Sequence, residues 1–190
     1  MDRDVTATHG RELPRVLIPI GVGLAVVAGL YVFGTQHTPD YGTSLFGKTG
    51  PDTLPLKSWL ATALLALAAV QLTLALWIYG RLPAAMPGGR PVTTTHRTIG
   101  VVAILLTLPI AYHCALAYGV QTHIDTRIAV HSLVGCFLYG AVVAKLLIVR
   151  TNPLSRWILP MAGGTVVVLV AVLWYTSALW YFNDYSLPAL

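Results

Sequence analysis

Very few side chains capable of chemistry fall inside the long apolar stretches of this 190-residue sequence. They are Gln71, His113, His131, Lys145 and a handful of hydroxyls. A polar group inside a bilayer is costly and is a functional candidate by default. No Asp or Glu lies within these stretches, which argues against a proton-driven pump. Ser132 adjoins His131, but consecutive residues of a helix point to different faces, so the two do not form a nucleophile–base pair.

The two histidines carry the sharpest signal. His113 lies six residues before Gly119, and His131 lies three residues after Ile128. If the apolar helices end near those positions, the imidazoles sit roughly 9 Å and 5 Å from the helix ends. They would then occupy similar depths on consecutive antiparallel helices. Two imidazoles facing each other across a helical bundle can supply both axial ligands of a haem iron. Each must be neutral to donate its lone pair, and a low-dielectric site favours that form. Gly135 is four residues after His131 and Ala117 four after His113, so each lies beside its imidazole and leaves room for a flat ring. Small residues there would equally let helices approach closely. Arg127, four residues before His131, is placed to pair with a propionate.

The ligand inventory favours one haem over two. His96 is the inner-side histidine nearest a span. It precedes His113 by 17 residues, about 26 Å along a helix and about 100° away in phase, so it cannot reach the same iron. A second haem would need a partner for it from His9, Met86, Met161 or Lys145, and a lysine ordinarily snorkels to the surface. Otherwise His96 is an interfacial residue at a helix start. His123, in Gln121-Thr-His-Ile-Asp-Thr-Arg127, could hydrogen-bond a propionate or a quinone carbonyl, or be a solvated loop residue. His37 also belongs to an outer loop. These spacings do not make a zinc motif. Cys114 and Cys136 read as small buried apolar residues, with a disulfide left open.

The elements that must hold these residues follow from composition. Hydrophobic residues make up 56% of the chain and charged residues 10%, far below the roughly 25% charged content of a soluble domain. A soluble enzyme and a disordered chain are both excluded. The net charge of +5 is scattered, without a basic face, so no nucleic-acid partner is expected. A bilayer core of about 30 Å needs about 20 apolar helical residues. Five segments qualify: residues 16–34, 58–80, 98–120, 128–149 and 157–182. The expected fold is an all-α polytopic membrane bundle of one domain, residues 1–190, with residues 1–15 as a tail. Pro109 and Pro160 fall within spans, where neighbouring groups can satisfy the freed carbonyls. Residues 81–97 should not continue a helix, because Gly and Pro punctuate them. The short connections 121–127 and 150–156 predict that spans three, four and five are sequential antiparallel neighbours.

Nine of the twelve Lys and Arg residues fall on the side of the N-terminus, the second loop and the fourth connection. That bias predicts a cytoplasmic N-terminus and an extracytoplasmic C-terminus, with the two histidines in the outer leaflet. Trp157, Trp174, Trp180, Tyr175 and Tyr181 lie near the ends of span five, as interfacial aromatics do. The stretch Tyr31-Val-Phe-Gly-Thr35 is a poor small-residue cleavage site, so the first span should be retained. No lipidation signal is visible.

The stretch from His96 to Trp180, a little under half the chain, resembles a family of small actinobacterial membrane proteins. The resemblance lies in His96-Arg-Thr-Ile-Gly, Leu108-Pro-Ile-Ala-Tyr-His-Cys114, His131-Ser-Leu-Val-Gly-Cys136, Tyr139-Gly-Ala, Ala144-Lys145, Ala162-Gly-Gly164 and Thr176-Ser-Ala-Leu-Trp180. More loosely, the arrangement is similar to membrane b-type cytochromes of the ferric-reductase and ascorbate-reductase kind. Those proteins use histidines on neighbouring helices and usually carry two haems; here the outer pair, His113 and His131, is what matches. The resemblance implies a bacterial cell-membrane cytochrome subunit working with an extracytoplasmic partner such as a Rieske-type iron–sulfur protein. The expected function is electron transfer between quinol or a respiratory complex and that partner, through one haem b. The competing expectation is a cofactor-free accessory subunit of a larger respiratory complex, packed through Gly21-Val-Gly23 and Gly163-Gly164. A transporter or channel finds no support in a repeat, a broken-helix pair or a charged pathway.

Overall fold

The computed structural model describes residues 3–82, 89–150 and 157–187, with side chains from Arg15 onward. Five of its helices are long and apolar enough to cross a membrane. They are α1 (Arg3–Gln36), α2 (Thr53–Ile78), α3 (Arg90–Ala117), α4 (Thr126–Arg150) and α5 (Ile158–Trp174). The last continues through a π-helical turn, Tyr175–Leu179, into a final turn, Trp180–Phe182. The described residues contain no β-strand beyond a single bridge between Leu45 and Lys48. Outward-facing Leu17, Ile18, Val101, Leu105 and Val168 are exposed, as lipid-facing residues of a multi-pass membrane protein are.

Several helices extend beyond the expected apolar spans. The tail expected at residues 1–15 is helical from Arg3. The second helix starts at Thr53, behind a 3₁₀ turn containing Pro51. The third starts at Arg90, so the last part of the stretch expected to break a helix is helical. Pro91 sits in its first turn, where the missing N–H is an orphan anyway. His96 accordingly lies inside the helix rather than at its start. Pro160 falls in the first turn of α5 and costs little for the same reason. Residues 151–156, the short fourth connection, lie outside the described residues, as does Met86.

The ends that matter most flank the histidines. After α3, Gly119 takes φ +67° and its N–H bonds the Cys114 carbonyl at 3.1 Å. A side chain at that φ would be strained, and a Cβ there would run into the Gly34 carbonyl. The next helix is capped by Asp125, whose carboxylate accepts the Ile128 N–H at 2.7 Å.

The helices do not pack in simple sequence order. α4 packs extensively on α1 and α5, while α2 packs on α3 and α5. The expected close pairing of spans three and four is not observed: α3 and α4 make almost no close backbone contact. Bulky side chains bridge them at mid-depth, where Leu64, Ala68, Leu138 and Val170 form a core joined by Ala103 and Leu106 of α3. Tyr139 of α4 also reaches the Thr107 hydroxyl of α3. By contrast, α1 and α4 nearly touch at Gly23 and Gly140. Part of the glycine face expected to dock a partner is therefore used internally: Gly23 is buried, and a Cβ there would meet the Gly140 carbonyl at 2.7 Å.

Trp174, expected at the interface, is tied inward: its Nε1–H donates to Thr62 Oγ1 of α2 at 3.0 Å, and Thr62 donates to the Ser58 carbonyl. Replacing Thr62 by valine leaves the indole N–H unmet in an apolar setting. The T62V variant is expected to lose about 0.6–1.5 kcal/mol. A thermal midpoint in detergent lower than that of T62S, which keeps the oxygen, would record it.

Candidate functional site

His113 is buried, with 1% of its surface exposed, and neither ring nitrogen has a hydrogen-bond partner. Leaving a buried polar group unmet costs about 1–3 kcal/mol. The ring packs edge-on against Tyr118, 5.7 Å between centroids, and Lys57 of α2 holds its ammonium 4.6 Å above the Tyr118 ring. The Thr43 backbone comes close without completing a hydrogen bond.

With the observed helix ends, His113 lies four residues before the end of α3 and His131 five after the start of α4. Both are then about 6–8 Å from their helix ends, a closer match in depth than the sequence spacing suggests. Both are within electrostatic reach of the Lys57 ammonium. His131 is partly exposed, and its Nδ1 lies 2.9 Å from Thr176 Oγ1 of the π turn. Gly135, one turn along α4, opens onto free space: a Cβ built there meets nothing within 4 Å. Ala117 is fully buried, so the two small residues differ: Ala117 is packed, and Gly135 leaves room.

The loop after α1 closes over the end of α3. The Asp40 N–H donates to the Leu116 carbonyl at 3.0 Å, His37 Nε2 lies 3.0 Å from the same oxygen, and the Val120 N–H donates to Gly34. His37 also stacks on Phe33. It is a fastener between α1 and α3, not a ligand.

The remaining sequence candidates separate. Arg127 lies by His131 but is engaged: Nη1 donates to the Thr176 carbonyl at 3.0 Å and the guanidinium sits 3.8 Å over the Trp180 ring. His123 is exposed and lines a shallow groove with Ala129, Val130 and Leu133; no contact joins it to the imidazole pair. His96 is at the far end of α3, where its carbonyl accepts Gln71 Nε2 at 2.6 Å and its Nδ1 is buried without a partner. Lys145 is its cationic neighbour. Ser132 Oγ accepts the Gln121 N–H at 3.3 Å, which gives it a loop-fastening role. Cys114 and Cys136 are both free thiols.

Sequence reasoning missed Thr176, Lys57 and Tyr118. A signal for Thr176 was present: Thr176-Ser177 in an otherwise apolar span is the kind of polar pair that bonds across membrane helices. Nothing local marked Lys57, which stands at the start of a span and reaches Tyr118 only through the fold.

Helices and site together define a polytopic, all-α membrane protein with a buried, under-satisfied imidazole near one end of its bundle and a second imidazole at matching depth on the next helix. The chain belongs to DUF6529, a family of unknown function whose model matches residues 16–189. No curated protein and no solved structure matches it.

Proposed function

We propose that the protein is a b-type cytochrome subunit of a bacterial cell membrane, holding one haem between α3 and α4 through His113 and His131. The observation that carries the proposal is the buried His113 ring with both nitrogens unpartnered. An iron ligand is the partner such a nitrogen lacks. Three further features fit the group: His131 at matching depth, the open space at the Gly135 Cβ position, and the lack of close backbone contact between α3 and α4. Bound there, a haem would supply a one-electron ferric/ferrous couple.

The rest is the work of the chain. Arg127, pinned by Thr176 and Trp180, keeps further N–H donors that a propionate could use. The loop over α3 and the Lys57–Tyr118 pair shield one edge of the site. With the nine-to-three charge bias, the N-terminus is cytoplasmic and the imidazole pair lies in the outer leaflet. Electrons would then pass between quinol or a respiratory complex and an extracytoplasmic partner, a Rieske-type protein being one such partner.

A reduced-minus-oxidised spectrum of the detergent-purified chain tests the proposal. It should show b-type bands at about one haem per chain, and their absence would end it. Gly135 offers a second check. In G135L the side chain leaves α4 where a Cβ meets nothing within 4 Å, so stability should change by less than about 0.5 kcal/mol while haem content falls by at least half. The competing function, a cofactor-free accessory subunit, is favoured by the open faces at Gly21, Gly163 and Gly164, and the same spectrum separates the two.

A further inference from the structure

The two imidazoles are held differently, and the difference has a chemical consequence. Neither nitrogen of His113 is bonded. His131 Nδ1, by contrast, lies 2.9 Å from Thr176 Oγ1. A threonine hydroxyl has one proton to give. Thr176 Oγ1 lies 2.8 Å from the Val172 carbonyl and 3.3 Å from the Leu173 carbonyl, either of which can take that proton. When that proton goes to the backbone, the hydroxyl accepts from His131 Nδ1–H. A neutral imidazole that donates from Nδ1 carries its lone pair on Nε2.

Thr176 is itself fixed. It is 1% exposed, it stands in the π-helical turn that interrupts α5, and its carbonyl accepts Arg127. Such turns are frequent at functional sites. One residue thus holds both His131 and the neighbouring cation, through side chain and backbone respectively.

The geometry points to Thr176 as a positioning residue that locks His131 in its Nδ1–H tautomer and so leaves Nε2 as the ligating nitrogen. The consequence for haem rests on the cytochrome proposal; the tautomer does not. His113 has no such lock, so the pair consists of one preset ligand and one that completes its bonding only when metal arrives. Partners that orient a ligating histidine through its other nitrogen are worth about 10–100-fold in metal affinity.

The test uses the full chain in detergent, expressed under haem limitation with ¹⁵N-histidine, and compares wild type, T176S and T176V. An H131Q variant assigns the His131 signals. Near neutral pH, wild type and T176S should show His131 as a single Nδ1–H tautomer, and T176V should lose that preference. On titration with haem, T176V should bind about 10–100-fold more weakly and shift the midpoint potential, while T176S stays near wild type. An Nε2–H tautomer in wild type, or an unchanged His131 in T176V, overturns the assignment. Wild-type protein that shows the tautomer yet binds no haem supports the assignment and overturns the cytochrome proposal alone.

Discussion

Protein with His113 replaced by alanine is expected to purify as a helical, full-length chain with no b-type absorbance. Truncating a large buried side chain usually costs about 2–5 kcal/mol through lost packing and the cavity left behind. At His113 the same change removes a buried polar ring whose nitrogens bond nothing, which returns about 1–3 kcal/mol. The two effects largely offset, so the fold should survive while the ligand is gone. The expected readouts are an unchanged far-ultraviolet helical signal and loss of more than nine-tenths of the pigment. Imidazole added to the buffer should restore part of the spectrum by entering the vacated space. H131A should lose pigment as well, at a larger cost in stability, because its removal also leaves Thr176 Oγ1 without the imidazole it meets at 2.9 Å. Full haem content in both variants would refute the ligand pair.

The second large effect is expected at Gly140, where the site plays no part. The two backbones pass so closely that a Cβ on Gly140 would lie 2.6 Å from the Gly23 carbonyl oxygen and would also collide with a Val27 methyl. The carbonyl is backbone in the middle of α1, so it cannot turn aside as a flexible side chain would. The helices must separate, and α1–α4 is the most extensive helix pair of the fold. Overpacking costs typically about 1–3 kcal/mol, and G140L should lie at or above the upper end. A clear drop in the thermal midpoint in detergent, together with faster proteolysis, is the expected result. G163A is the control, because a Cβ at Gly163 meets nothing within 4 Å; it should melt with wild type. If G140L also melts with wild type, the close approach of α1 and α4 is wrong.

These two positions show what can be read along the chain and what cannot. Five helices of spanning length are visible in the sequence because hydrocarbon demands about 20 apolar residues in a row, whatever lies beside them. The depths of His113 and His131 were nearly legible too, since rise per residue is constant and only the helix ends were uncertain. The helix starts at Thr53 and Arg90 precede the expected span starts at 58 and 98 because a helix persists past its apolar stretch, and Pro91 begins a helix as readily as it breaks one. The Gly21-Val-Gly23 motif predicts a docking surface, yet Gly23 is buried against Gly140.

By itself the sequence determined the class of fold, the shortage of intramembrane charge and the presence of two imidazoles at similar depth. Tertiary structure alone decided that α3 and α4 stand apart, that Tyr118 lies against His113 with the Lys57 ammonium over its ring, and that Thr176, 45 residues along the chain, bonds His131. The physical reason is that lipid and protein core are equally apolar. Hydrophobic periodicity therefore cannot say which face of a membrane helix meets a neighbour. Hydrogen bonds between distant residues follow from that packing, and a local polar pair such as Thr176-Ser177 does not name its partner.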